Sequence, residues 1–152
     1  MDEVVSTIWT YVKVLVVYLV VDVIYLVLPP VSAYNKSVIE GVQGSPVELR
    51  LLPALLVYFV GAAALTWILV HAPEGRRVAS AAFMGFCTYG IYDLTNYATL
   101  TNYPLRMVVQ DMLWGASSFG ISAFIYTRLL APKPAAAVYP TGMEVSPGKL
   151  GM

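Results

Sequence analysis

Charge is what this sequence has least of. Only 12% of its 152 residues are Asp, Glu, Lys or Arg, against about 25% in ordinary soluble domains. A mostly charged surface is therefore excluded, and much of the exterior must meet something other than water. Nine basic and nine acidic residues cancel, which removes the electrostatic case for nucleic acid as a partner. The single cysteine, Cys87, excludes an internal disulfide and a thiolate metal cluster, and it leaves the redox compartment unread. The single histidine, His71, excludes a His-rich metal site. No nucleophile–base pair and no Gly-rich phosphate loop is visible. The motifs of the common enzyme classes are thus missing, the catalytic residues are unknown, and no cofactor is legible. The start, Met1-Asp2-Glu3, lacks the positive charge of a signal peptide and the arginines of a transit peptide. The first apolar run is therefore expected to stay in place as a membrane anchor.

What is abundant is apolar mass: 59% hydrophobic residues and a mean hydropathy of +0.71. A helix needs about 20 mostly apolar residues to span a bilayer. Four runs reach that length, at about 4–28, 51–70, 78–99 and 104–130. In lipid every backbone polar group must be satisfied internally, so each is expected to be helical. The fold class expected is all-α, a polytopic membrane protein with four transmembrane helices in residues 1–130. The third run is the weakest, with Cys87, Thr88, Tyr89, Tyr92, Asp93, Thr95 and Asn96 inside it. Pro29-Pro30 stops the first run. Between the first two, Tyr34, Val38, Ile39 and Val42 share one helical face, which predicts a short interfacial helix. Ser45-Pro46-Val47-Glu48 has the spacing of a capping box, so the second long helix is expected to begin at Pro46 and bend near Pro53. Thr101-Asn102-Tyr103-Pro104 predicts a tight turn between antiparallel neighbours. Residues 131–152, rich in Pro, Gly and Ala, read as an extended tail without a packing pattern.

Four spans put both termini on one side. That side carries Lys13 (snorkelling back along the first helix), Arg76, Arg77, Arg128, Lys133 and Lys149, against Lys36, Arg50 and Arg106 on the other. The positive-inside rule then places both termini in the cytoplasm or matrix. A plasma membrane and an organelle inner membrane both fit. Trp9, Tyr11, Tyr103 and Tyr126, near span ends, read as interfacial aromatic anchors.

Three acids, Asp22, Asp93 and Asp111, fall inside the expected spans, where an acid is costly and points to function. Asp22 lies six residues before Leu28, Asp93 six before Thr99, and Asp111 seven after Pro104. Helical rise puts all three roughly 9–10 Å from one membrane face. Tyr18, Asp22 and Tyr25 line up on the first helix. Tyr89, Asp93 and Asn96 do so on the third, and Asp111, Trp114 and Ser118 on the fourth. The expectation is a common polar pocket of Asp22, Tyr25, Tyr89, Asp93, Asn96, Asp111 and Trp114. Carboxylates this close need a proton or a cation. Arg50 and Arg106 are the candidate charge partners. Oxygen ligands alone would suit a hard ion better than zinc, but no metal is assigned. The plainer role for each acid is to pin helix packing by hydrogen bonds across the bundle.

The run Tyr89-Gly90-Ile91-Tyr92-Asp93-Leu94-Thr95-Asn96-Tyr97-Ala98-Thr99-Leu100 resembles the signature of domain of unknown function 2177. The similarity continues through Pro104-Leu105-Arg106 and Asp111-Met112-Leu113-Trp114-Gly115. It also takes in Asp22 with Tyr25-Leu26, and the segment Leu52-Pro53-Ala54-Leu55-Leu56-Val57-Tyr58. In all it covers about Val14–Tyr126. The resemblance implies a small four-helix membrane protein and supports Asp22, Asp93, Asn96, Asp111 and Trp114 as pattern positions. It implies no activity.

Two readings of function compete. One is a small accessory or structural subunit of a larger membrane complex, with other membrane subunits or a second copy as partner. The other is a stand-alone protein whose three-Asp pocket binds a cation, a proton or a lipid head group, for transport or lipid modification. An enzyme using a protonated Asp as general acid on a lipid ranks below both.

Overall fold

Proline punctuates the chain. In a computed structural model that describes residues 2–132, helix α1 runs Asp2–Leu26. Helix α2, Pro29–Gln43, follows at once. Proline disfavours the helical region for the residue before it, and Leu28 accordingly sits extended at φ −59°, ψ 124°. The same two prolines that end α1 start α2, where their missing N–H groups cost nothing. Gly44, left-handed at φ 68°, closes α2. Where the sequence predicts a short interfacial helix, the structure has a 15-residue helix. Val38 is buried and the adjoining Ile39 is exposed.

The expected capping box does not form. Residues 44–50 are not helical, and α3 spans Leu51–His71. The Val47 N–H donates instead to Glu40 Oε1 at 3.2 Å, and the Gln43 amide donates to the Ser45 and Pro46 carbonyls. With those groups engaged by the end of α2, Ser45 has no helix to cap. Pro53 then falls in the first turn of α3, where a backbone N–H has no intrahelical acceptor, so it starts the helix rather than bending it.

Ala72-Pro73 ends α3. A single 3-10 turn at Glu74–Arg76 leads into α4, Arg77–Thr99. The expected tight turn follows, with Asn102 at φ 71°, a conformation Asn tolerates better than most residues. Helix α5, Leu105–Ile125, passes into a π-helical turn, Tyr126–Leu130. Helices α1 and α3 are long and apolar enough to cross a membrane, over Glu3–Leu26 and Leu51–His71. Helices α4 and α5 have comparable length but carry more polar residues, and they fall short of the same test.

Helix α1 packs on α3 and α5, and α4 packs on α5 and α3. The α4–α5 contact is the closest. A Cβ at Gly85 would fall on the backbone carbonyl of Gly115, and one at Gly115 would lie 2.6 Å from the Gly85 carbonyl oxygen. Gly61 performs a similar service for Tyr18, whose ring would stand 2.7 Å from an added Cβ. The core joins Val14, Tyr18, Leu65, Ala81, Phe119 and Tyr126. Large apolar side chains such as Ile8, Leu52, Val60, Ile91 and Leu113 point outward.

Tyr126 is not the interfacial anchor expected. It is 6% exposed and shares a 2.9 Å hydrogen bond with Thr10. Lys13, expected to snorkel back along the first helix, meets the end of the last one. Its Nζ donates to the Leu130 carbonyl at 3.1 Å and caps the π-helical turn. Tyr126→Phe is expected to cost about 1 kcal/mol, the scale of one interhelical hydrogen bond in a membrane protein. Thr10 keeps its bond to the Ser6 carbonyl. Denaturant titration in detergent checks this, and an unchanged midpoint counts against the Thr10–Tyr126 link.

Candidate functional site

Helix α1 sets Tyr18, Asp22 and Tyr25 on one face, one turn apart. Asp22, 6% exposed, is a hydrogen-bond hub. Tyr58 of α3 donates to its Oδ2 at 2.8 Å. Trp114 Nε1 of α5 donates to its Oδ1 at 2.7 Å, and Tyr89 of α4 donates to the same oxygen at a longer 3.4 Å. Each of the other three long helices therefore supplies one donor to a single carboxylate. The hub is braced by aromatic packing. Tyr25 stacks on Trp114 with centroids 3.8 Å apart, Tyr18 meets Tyr58 and Phe119 edge-on, and the Tyr18 and Tyr89 hydroxyls lie 3.0 Å apart.

Asp93 makes a second, separate centre. It is fully buried on α4. The Tyr103 hydroxyl, from the α4–α5 turn, donates to its Oδ1, and its Oδ2 has no hydrogen-bond partner among the described residues. Burial, then the adjoining Asp93 carboxylate, push the Tyr103 phenol well above its usual range, so Tyr103 stays a proton donor. Asn96 lies beside the same hydroxyl. Asp111, half-buried on α5, lies near both Asp93 and Asp22.

The expected single pocket is therefore two adjoining centres. Tyr25, Tyr89 and Trp114 join Asp22, while Asn96 joins Asp93, and Asp111 lies near enough to both acids to interact with each. The three carboxylates do not converge. Among the described residues no three His, Cys, Asp or Glu side chains are placed to hold a metal ion. The charge partners expected for the acids do not reach them. Arg50 is exposed, and neither Arg50 nor Arg106 forms an ion pair among the described residues. The Arg106 guanidinium lies over the Tyr34 ring at 4.4 Å instead, where α2 meets α5 and Gln110 donates to Asn35. That cation–π contact is open to a residue at a helix start, whereas reaching the buried acids would mean stripping the guanidinium of water.

Two partners were not among the expected site residues. Tyr58 had a signal: it lies seven residues into α3, at the same depth as the three acids by the same count. Tyr103, taken for an interfacial anchor, gave none, because the turn alone aims it back at Asp93. A groove of about 380 Å³ between α3 and α4 runs past Tyr18, Val57, Val60, Gly61 and Tyr89, and it opens the edge of the Asp22 hub to the apolar exterior.

An all-α chain with an apolar exterior and a hydrogen-bonded polar interior has the build of a protein that resides in lipid. The chain belongs to the family described as Predicted membrane protein (DUF2177), whose model matches residues 7–127 and so takes in both centres. A comparison with curated proteins found no match, and a comparison with solved structures found none.

Proposed function

We propose that this chain is a multi-pass membrane protein whose four long helices all cross the bilayer, with both termini on the cytoplasmic or matrix side, and that Asp93 is its ionisable working site. One observation carries the reading. Asp93 is fully buried, yet one of its two oxygens has no hydrogen-bond partner among the described residues. A bare carboxylate in that position is costly. The group therefore needs a proton or a cation as its partner, and exchanging that partner is the chemistry it offers. Asp111 is half-buried and adjacent, which makes it the route between Asp93 and the outside. Asp22, with both oxygens engaged, has the plainer role of holding the four helices in a bundle.

The test is reconstitution of the full chain in vesicles carrying an imposed pH gradient and a pH-sensitive dye. Wild-type protein is expected to dissipate the gradient, and Asp93→Asn to lose most of that flux while keeping its melting midpoint. Equal flux from the two proteins removes the proposal.

The accessory-subunit reading is kept as second. Helix α3 favours it: Leu51, Leu52, Leu55, Val57, Val60 and Trp67 form a broad apolar face that no other described residue covers. Gentle purification from the native membrane followed by mass spectrometry separates the two. A lone protein or homodimer removes the subunit reading.

A further inference from the structure

The helix ends farthest from the acids carry a cleft that neither centre uses. It lies between the start of α4 and the π-helical turn after α5, has a volume of about 610 Å³, and is lined by Glu74, Arg77, Val78, Phe124, Thr127 and Arg128. Two guanidinium groups border it with donors to spare. Arg77 is largely packed, its Nε is buried without a hydrogen-bond partner among the described residues, and its Nη1 lies 3.6 Å from Glu74. That is longer than a good charge-assisted hydrogen bond, and the Glu74 side chain is 82% exposed. Arg128 is exposed and lies near the Phe124 ring, 5.9 Å from its centroid, with no carboxylate partner among the described residues.

The wall carrying Arg128 is held in place. Thr10 bonds Tyr126, and Lys13 bonds the Leu130 carbonyl, so the π-helical turn is tied to α1 on both sides of Arg128. Below the arginines, Val78 and Phe124 are apolar and exposed. A pair of planar donor forks above an apolar wall at the end of two helices matches an anion attached to hydrocarbon. Guanidinium groups bind phosphate oxygens in pairs, where ammonium groups act as point charges.

We propose that this cleft binds the phosphate of an anionic phospholipid between Arg77 and Arg128, with its acyl chains against Val78 and Phe124. The site is independent of the acids, so Asp93→Asn leaves it unchanged.

The test is thermal melting of the full chain in mild non-ionic detergent, titrated with phosphatidylglycerol, phosphatidylcholine or inorganic phosphate. Phosphatidylglycerol is expected to raise the melting midpoint at lower concentration than phosphatidylcholine. Arg128→Gln is expected to raise the half-saturating concentration of phosphatidylglycerol about fivefold, the contribution of one basic residue at a membrane surface. Arg77→Gln is expected to do at least as much. If its packed side chain prevents folding, the exposed Arg128 carries the test alone. Arg76→Gln, adjacent but outside the cleft, is expected to have no effect. Equal stabilisation by the two lipids, or an unshifted Arg128→Gln titration, overturns the proposal. Inorganic phosphate reproducing the whole effect, with nothing added by phosphatidylglycerol, also overturns it, because the ligand is then a free anion.

Discussion

Gly85→Ala is expected to destabilise the fold by about 3 kcal/mol or more, beyond the usual overpacking range because the obstruction is backbone. The new methyl group falls on the Gly115 carbonyl, with the Phe119 Cβ 2.8 Å away. Neither can rotate aside, so α4 and α5 must separate along the crossing. Small residues at such crossings let membrane helices associate through close packing where no hydrophobic driving force acts between them. Gly115→Ala adds a second injury, since its methyl would sit 2.5 Å from the Tyr89 ring and push that side chain off Asp22 and Tyr18. Two controls bound the effect. Gly120→Ala meets only the Ala82 side chain, at 3.3 Å, and is expected to be mild. Gly41→Ala meets nothing within 4 Å in α2 and is expected to gain up to about 1 kcal/mol from helix propensity. Melting midpoints of the four variants in one detergent decide the matter. A Gly85→Ala protein that melts with Gly120→Ala means that α4 and α5 do not cross at these glycines.

The long helices were legible because their signals are long: apolar runs of spanning length, bounded by Pro29-Pro30, Ala72-Pro73 and the Asn102 turn. What misled was local and short. Ser45-Pro46-Val47-Glu48 has a capping spacing, but the end of α2 reaches forward and takes the same backbone groups, a tertiary fact that no four-residue pattern carries. Depth counting put Tyr25, Tyr89 and Trp114 in one pocket with all three acids, on the faces of Asp22, Asp93 and Asp111 respectively, whereas the structure gathers all three at Asp22. Depth alone does not fix rotation about a helix axis, and that is where the single pocket divided in two. Tyr103 and Tyr126 look alike in sequence, each a tyrosine near a span end, yet both turn inward to a specific partner. Arg50 and Arg106 sit at the right face for the acids, but the desolvation needed to reach them outweighs what an ion pair returns.

Asp22→Ala is expected to be as disruptive as the glycine change, for an electrostatic reason rather than a steric one. Removing the carboxylate leaves the Trp114 Nε1–H and the Tyr58 hydroxyl without their acceptor, while Tyr89 keeps Tyr18 as a partner. Each orphaned interior donor costs about 1–3 kcal/mol, so the loss of two is expected at about 2–6 kcal/mol. Asp22→Asn keeps one carbonyl for Trp114 and an amide facing Tyr58, whose hydroxyl can turn to accept, and it is expected to cost less than half as much. A double-mutant cycle sharpens the comparison. Tyr58→Phe lowers stability in the wild type but is expected to do little or nothing once Asp22 is Ala, because the bond it removes is already gone. Strict additivity of the two substitutions means that Tyr58 and Asp22 are not joined. The same pair of acids then separates structure from chemistry in one experiment. Asp22→Asn is expected to keep the vesicle flux, because its oxygens only hold the helices. Asp93→Asn is expected to keep the fold and lose the flux, because its unpartnered oxygen is the one with a proton or cation to exchange. If Asp22→Asn is the variant that loses the flux, the working site is the hub, and Asp93 with Tyr103 is the pin.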